Sequence, residues 1–410
     1  MSEAWIIDAC RTPRGIGKQG KGALADLHPQ HLGATVLKAL AERNHLNTAE
    51  VDDILWGTST QKGTQGNDLG RMSALDAGYD VRSSGITMDR FCGSGISVVN
   101  LAAASIISGM EDLVIAGGCE MMSMTATLRD GPGFMDAGNL RLRAKHPQSH
   151  QGVCADAIAT LEGIPRSDLD ALALESQKRA AAAIAGGHFA KSLIPVYKAD
   201  GTLALDREEF PRPQTTAEGL AELKPAFTKL ADVPLDEQGT TYRKLILAKY
   251  PDLDIQFVHH AGNSSGVVDG SGALLLASPA YAKKNGLKPR ARVLAYANVG
   301  DSPTLMLNAP VPAARKVLAK AGLTVDDIDL FEINEAFAVV AEKFIRDLKL
   351  DRDKVNVNGG AMALGHPIGA TGSLLIGTLL DELERRDLKR GLVTMCAAGG
   401  MAPAIIVERI

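Results

Sequence analysis

Cysteine is scarce in this chain: five in 410 residues, Cys10, Cys92, Cys119, Cys154 and Cys396. They are scattered, odd in number and never form C-x-x-C, which argues against a disulfide framework and a zinc knuckle. Positive charge is not in excess either. The net charge is −4, so nothing points to nucleic acid or to an anionic membrane surface as a partner. No stretch reaches the roughly 18 consecutive apolar residues of a membrane span. Met1-Ser2-Glu3-Ala4-Trp5 has no basic run and no signal-like apolar core. The expectation is a reducing, cytoplasmic compartment, with no metal site and no resident cofactor.

What is plentiful is glycine, 42 residues, within a composition that is 45 % hydrophobic and 22 % charged. That suits a large soluble core with many tight turns. Trp5 to Cys10 reads as a first strand, stopped by Arg11-Thr12-Pro13, and His31 to Arg43 as a helix. Strands follow at Val51–Gly57, near Ile86-Thr87-Met88, and at Leu113–Ala116. This alternation predicts an α/β fold with a mostly parallel sheet. From Met121 to Val258 the pattern weakens, with one clear helix from Ser167, as N-cap, to Ala185. We read that region as an inserted cap or loop domain. Regular order resumes after His259-His260: Ala273–Ala277 as strand or short helix, Ala291–Asn298 and Ile328–Ile333 as strands, and Val311–Ala321 as a helix. Asn334-Glu335-Ala336-Phe337 opens the next helix, and two strands close the chain. The ends look like copies, each with a glycine-rich loop, a buried helix and a strand leading to Gly-Gly. The division is 1–120, 121–258 and 259–410.

Cys92 stands between a strand or turn and a long apolar segment, Ile96 to Met110. A segment apolar on every face is a buried helix. Its free N-terminal amides and dipole favour a thiolate over a thiol, and the thiolate is the nucleophile. A buried structural cysteine fits the same residues. His366, between Gly365 and Pro367, has a constrained direction; Cys396 precedes Ala-Ala-Gly-Gly, a place for exposed amides. Each also reads as a core residue. Together, two cysteines and a histidine in glycine-rich loops suggest thiol-based acyl transfer. Asn334 and Glu335 orient a water or a base, or cap a helix.

Cys92-Gly93-Ser94-Gly95, Asn334-Glu335-Ala336-Phe337, Asn358-Gly359-Gly360-Ala361 with Gly365-His366-Pro367, and Cys396-x-x-Gly399-Gly400-Met401 resemble the motifs of the thiolases. So do Arg11-Thr12-Pro13, Ala116-Gly117-Gly118-x-Glu120 and Ala261-Gly262-Asn263-x-Ser265-Gly266, in order, almost end to end. The resemblance implies a five-layer αβαβα fold from two similar halves, with a loop domain over the active site. It implies acyl-CoA and CoA as substrates, cleavage of 3-ketoacyl-CoA or the reverse condensation, as in fatty-acid β-oxidation, and a homodimer or homotetramer. Cys92 would accept the acyl group, His366 activate it, and Cys396 move the α-carbon proton. Asn334 would hold a water completing one oxyanion hole; the amides of Cys92 and Ala398 would form the other. Arg212 and Ser265 match positions that contact CoA, and His150 is assigned to the same surface.

The chain departs from the pattern in places. Ala398 and Ala402 replace glycines, which a positive φ would strain. His150-Gln151-Gly152 stands where biosynthetic members carry His-Met-Gly, which loosens a strict preference for a short acetoacetyl chain. Extra residues lie between Phe227 and His259, and His259-His260 reads as structural. A decarboxylating ketoacyl synthase shares the fold, but the second cysteine argues against it. A non-catalytic acyl-CoA-binding protein of this type would lack a reactive residue, and here all are present.

Overall fold

The computed structural model describes residues 3–125 and 133–410. Among the described residues twelve strands form: β1 Trp5–Arg11, β2 Gly15–Ile16, β3 Asp53–Gly57, β4 Ile86–Met88, β5 Leu113–Met121, β6 Val196–Tyr197, β7 Leu203–Leu205, β8 Val268–Ala277, β9 Ala291–Gly300, β10 Leu330–Ile333, β11 Arg390–Thr394 and β12 Met401–Arg409. All but the β6-β7 hairpin join one sheet, ordered β10-β11-β12-β9-β1-β8-β5-β3-β4, with β2 beside β8.

The two ends of that path mirror each other. On one side β3–β5 is parallel, then β5–β8 and β8–β1 are antiparallel. On the other β10–β11 is parallel, then β11–β12 and β12–β9 are antiparallel. Even the outermost strand is matched: β4 runs parallel to β3, and Val355 makes a parallel bridge to Phe331 of β10. The halves join where Trp5 and Ile6 of β1 meet Arg292 and Ala291 of β9.

Strand periodicity sorts side chains into three cores. Val114, Ala116, Leu274 and Leu276 of one half, and Val393, Ile405 and Val407 of the other, pack around the helices Ser94–Ser108 and Thr371–Arg385. The alternate residues Leu113, Ile115 and Leu275 face the Pro29–Arg43 helix. Leu392, Ala404 and Ile406 face the helices Pro310–Ala321 and Ala338–Leu348. Helix, half-sheet, central helices, half-sheet and helix make the expected five layers. Phe91–Ser108 is apolar and long enough by composition to cross a bilayer, but here it leads the central layer.

Several expectations change. The sheet is mixed rather than mostly parallel. The Cys396–Gly400 turn is short enough to fold β12 back antiparallel on β11, and β8 reaches β5 and β1 from the far side of the inserted domain. β8, which lies after residue 258, therefore belongs to the first half, and β9 is the first strand of the second. The Arg166–Ala185 helix starts at Arg166 with Pro165 as cap, not at Ser167. Residues 334–337 do not open a helix: Ser264 bridges Phe337, Ser265 N–H donates to Ala336 O, and helix begins only at Ala338. The inserted domain is tied to β1 by a buried ion triad, in which Glu208 meets Arg11 at 2.6 Å and Arg14 at 2.9 Å.

Candidate active site

Cys92 sits one turn beyond β4. Phe91 before it holds φ +49°, a left-handed conformation that costs a bulky residue energy. The turn compensates: Asp89 Oδ1 accepts from Phe91 N–H at 2.6 Å, and the Ser94 hydroxyl accepts from Arg90 N–H and donates to Phe91 O. Cys92 is thereby set two residues before the Ser94–Ser108 helix, and 9 % of its surface stays exposed. None of the five cysteines is in a disulfide.

His366 is aimed by backbone constraint. Gly365 holds φ +94°, and a Cβ there would lie 2.4 Å from Val268. His366 N–H donates to Gly266 O at 2.9 Å. The ring is buried, with Nδ1 2.6 Å from Thr371 Oγ1 and Nε2 3.4 Å from Asn334 Nδ2. Burial drives its pKa down to about 3, so the imidazole is neutral. Asn334, just after β10, leaves its buried Oδ1 without a partner among the described residues. An unpaired buried acceptor is the kind of group that takes a water.

Neighbouring Glu335 is a clamp. Its buried carboxyl accepts from Ser176 Oγ, Asn356 Nδ2 and Met362 N–H at 2.7, 2.9 and 3.1 Å. Glu120 does the same for the histidine loop, taking Ser59 N–H, Gln65 Nε2 and Gly369 N–H at 2.8–2.9 Å. Burial raises the pKa of both carboxyls.

Cys396 follows β11 and is almost fully buried. Burial, and then the nearby Cys92, push its pKa upward, so it stays a thiol. A Cβ on Gly93 would lie 3.3 Å from Ala397 Cβ, so the residues next to the two cysteines touch. Gly399 and Gly400 take the left-handed conformations of this turn, at φ +78° and +77°. Ala398 and Ala402 do not, so the replacement of glycine carries no backbone strain there. The turn brings Cys396 to Cys92, and Asn334 brings β10 to His366.

Two family models cover most of the chain. Residues 4–233 match the thiolase N-terminal domain and residues 287–409 the thiolase C-terminal domain. The chain belongs to the thiolase family. It is 40 % identical to an acetyl-CoA acetyltransferase of Chromobacterium violaceum, over 99 % of this chain and 100 % of that protein. It is 39 % identical to a beta-ketoadipyl-CoA thiolase of Acinetobacter baylyi over the whole of both chains. It is 38 % identical to a steroid 3-ketoacyl-CoA thiolase of Mycobacterium tuberculosis, over 100 % of this chain and 95 % of that one. The protein is thus an acyltransferase with thiolase activity.

In this thiolase Phe210 brings together two of the residues assigned to CoA, Arg212 and Ser265. The exposed Arg212 guanidinium lies 5.7 Å from the Phe210 ring, and a Cβ on Gly266, beside Ser265, would lie 2.2 Å from that ring. His150 caps the Gln151–Leu161 helix and is held between Phe227 and Tyr242, at ring distances of 5.6 and 5.5 Å. Phe227 continues to Phe337, at 5.8 Å, three residues beyond Asn334. The extra residues after Phe227 thus supply Tyr242, whose hydroxyl also bonds both backbone groups of Gly133. His259 and His260 are structural: each meets a buried aspartate, Asp156 and Asp170, at 2.8 Å.

Sequence reasoning assigned no function to Thr371 or to the strained Phe91. Thr371 had no signal beyond its place in the first turn after Pro367. Glu120 was legible only as part of a motif, because the two loops it ties, at 59–65 and at 369, are distant in the chain.

Proposed function

We propose that this thiolase works by a ping-pong exchange through an acyl-Cys92 intermediate, with 3-ketoacyl-CoA and CoA as substrates. The observation that carries the reading is the meeting of the Cys92 and Cys396 turns beside a neutral, buried His366. His366 takes the proton from the Cys92 thiol. The thiolate adds to the 3-keto carbon and the C2–C3 bond breaks. The electron pair left on C2 takes the Cys396 proton, releasing acetyl-CoA. CoA gives its thiol proton to the Cys396 thiolate and attacks the acyl-Cys92 thioester, and the Cys92 thiolate that leaves takes back the proton from His366; condensation is the reverse.

A raised pKa suits Cys396 to hold a proton until a carbanion asks for it. The Ala398 N–H, which has no protein acceptor among the described residues, and the Cys92 N–H line one oxyanion site. Asn334 with a bound water forms the other, and each such donor supplies about 3 kcal/mol. Arg212, Ser265 and His150 receive CoA. Thiol chemistry asks for no resident cofactor and suits a reducing cytoplasm. The reading extends to a homodimer or homotetramer, because β4 is an edge strand with Ile86 exposed, and to fatty-acid β-oxidation as the setting.

The test is mass spectrometry of the intact protein and its peptides after mixing with acetoacetyl-CoA in the absence of CoA. An acetyl group on the Cys92 peptide, absent from Cys92→Ala, is expected. Longer 3-ketoacyl-CoA thioesters extend the test, and no label from any of them on folded protein would reject the reading.

A further inference from the structure

We infer that Thr371 is a positioning residue that holds His366 as the Nδ1–H tautomer and keeps Nε2 as the proton acceptor. The inference rests on the reading above, in which His366 takes the Cys92 proton.

Three contacts decide the tautomer. His366 Nδ1 and Thr371 Oγ1 are 2.6 Å apart and buried, so one hydrogen lies between them. The threonine hydroxyl has a single proton, and it donates that proton to Pro367 O at 3.0 Å, one helical turn back. The hydroxyl is therefore an acceptor toward the ring, and Nδ1 carries the hydrogen. At the other end, Asn334 Nδ2 presents its hydrogens to Nε2 at 3.4 Å. With the Asn334 amide in this orientation, the opposite tautomer would set two donors against each other there. Nδ1–H pairs a donor with an acceptor at both ends of the ring.

The arrangement matters because the ring is neutral. A neutral imidazole has one basic nitrogen, and which one is set by the bond its partner makes. Burial keeps His366 neutral down to about pH 3, so the choice holds across the working range. Thr371 is itself rigid, buried in the first turn of the Thr371–Arg385 helix, with a β-branched side chain restricted at χ1. An ordinary helix-start threonine would make the Pro367 bond and nothing more. The second bond, to a catalytic ring, is what that role does not explain.

The experiment is ¹⁵N NMR of histidine-labelled full-length protein, with the His366 signals assigned by their loss in His366→Asn, alongside steady-state kinetics. Thr371→Val keeps the shape and removes the hydroxyl; Thr371→Ser keeps the hydroxyl. Wild type is expected to show a protonated Nδ1. Thr371→Val is expected to populate Nε2–H and to lose roughly 100-fold in kcat, with KM changed less than about twofold. Thr371→Ser should keep the wild-type tautomer and lose less than about fivefold in kcat. A protonated Nε2 in the wild type overturns the inference, and it can be read even where Thr371→Val does not fold. An unchanged tautomer in folded Thr371→Val overturns it too, as does a changed tautomer with unchanged kcat. Failure of the thiolase reading itself would show differently, as wild-type protein with Nδ1 protonated and no acyl transfer.

Discussion

Gly95 and Gly372 meet backbone to backbone where the two central helices begin. A Cβ on Gly372 would lie 2.1 Å from Ile96 N, and one on Gly95 would lie 2.7 Å from Gly372 N. Neither glycine has a positive φ, so the demand is for space and not for conformation. Cys92 stands shortly before one helix and His366 shortly before the other. The contact therefore sets how closely the nucleophile's turn approaches the histidine's turn.

Gly372→Ala tests that contact. In an unconstrained helix the change would stabilise by up to about 1 kcal/mol. Here the added methyl meets backbone that cannot move alone, and overpacking of this kind costs about 1–3 kcal/mol. Denaturant unfolding should show a loss of stability, with reduced rates of Cys92 acylation. A gain in stability would contradict the backbone contact.

Cys396→Ala separates the two thiols. Thioester exchange between acetyl-CoA and Cys92 forms and breaks no carbon–carbon bond, so acetyl label on Cys92 should persist. Cleavage of a 3-ketoacyl-CoA needs a proton at C2 and should fall by roughly 10² to 10⁴. Parallel mass spectra and cleavage rates measure this. Equal losses in both reactions would mean that Cys396 supports Cys92 and does not move the substrate proton.

His366 also ties stability to pH. An unfolded histidine takes a proton near pH 6.5, whereas the buried ring resists one to about pH 3. Between those values the unfolded chain binds a proton that the folded chain does not. This contribution is whole above pH 6.5 and is lost as pH falls toward 3, with a limiting slope of about 1.4 kcal/mol per pH unit. Urea unfolding from pH 7 to pH 4 should show a slope shallower by up to one proton in His366→Asn than in wild type. Parallel profiles would show that the ring titrates normally.

Local patterns carried the alternation of strand and helix, the buried central helices, the doubled architecture and the motifs with Cys92, Asn334, His366 and Cys396. Each depends on residues close in sequence: period two in strands, a helix apolar all round, glycine where the chain turns. Conformational detail was less legible. Ala398 looked strained as a replacement for glycine, yet the left-handed positions of that turn fall on Gly399 and Gly400. Residues 334–337 looked helical, but pairing with residues 263–265 holds them extended.

Pairing partners and second contacts belong to tertiary structure alone. Period two says which face of a strand is buried, not which strand lies beside it, so β8 could be assigned to the first half only once β5 and β1 were seen on either side of it. The same holds at the active site. The sequence by itself names a reactive histidine, but the tautomer of His366 depends on where one threonine sends its single proton. Buried groups answer to whichever partners the fold brings within hydrogen-bond distance, and chain order does not encode those distances.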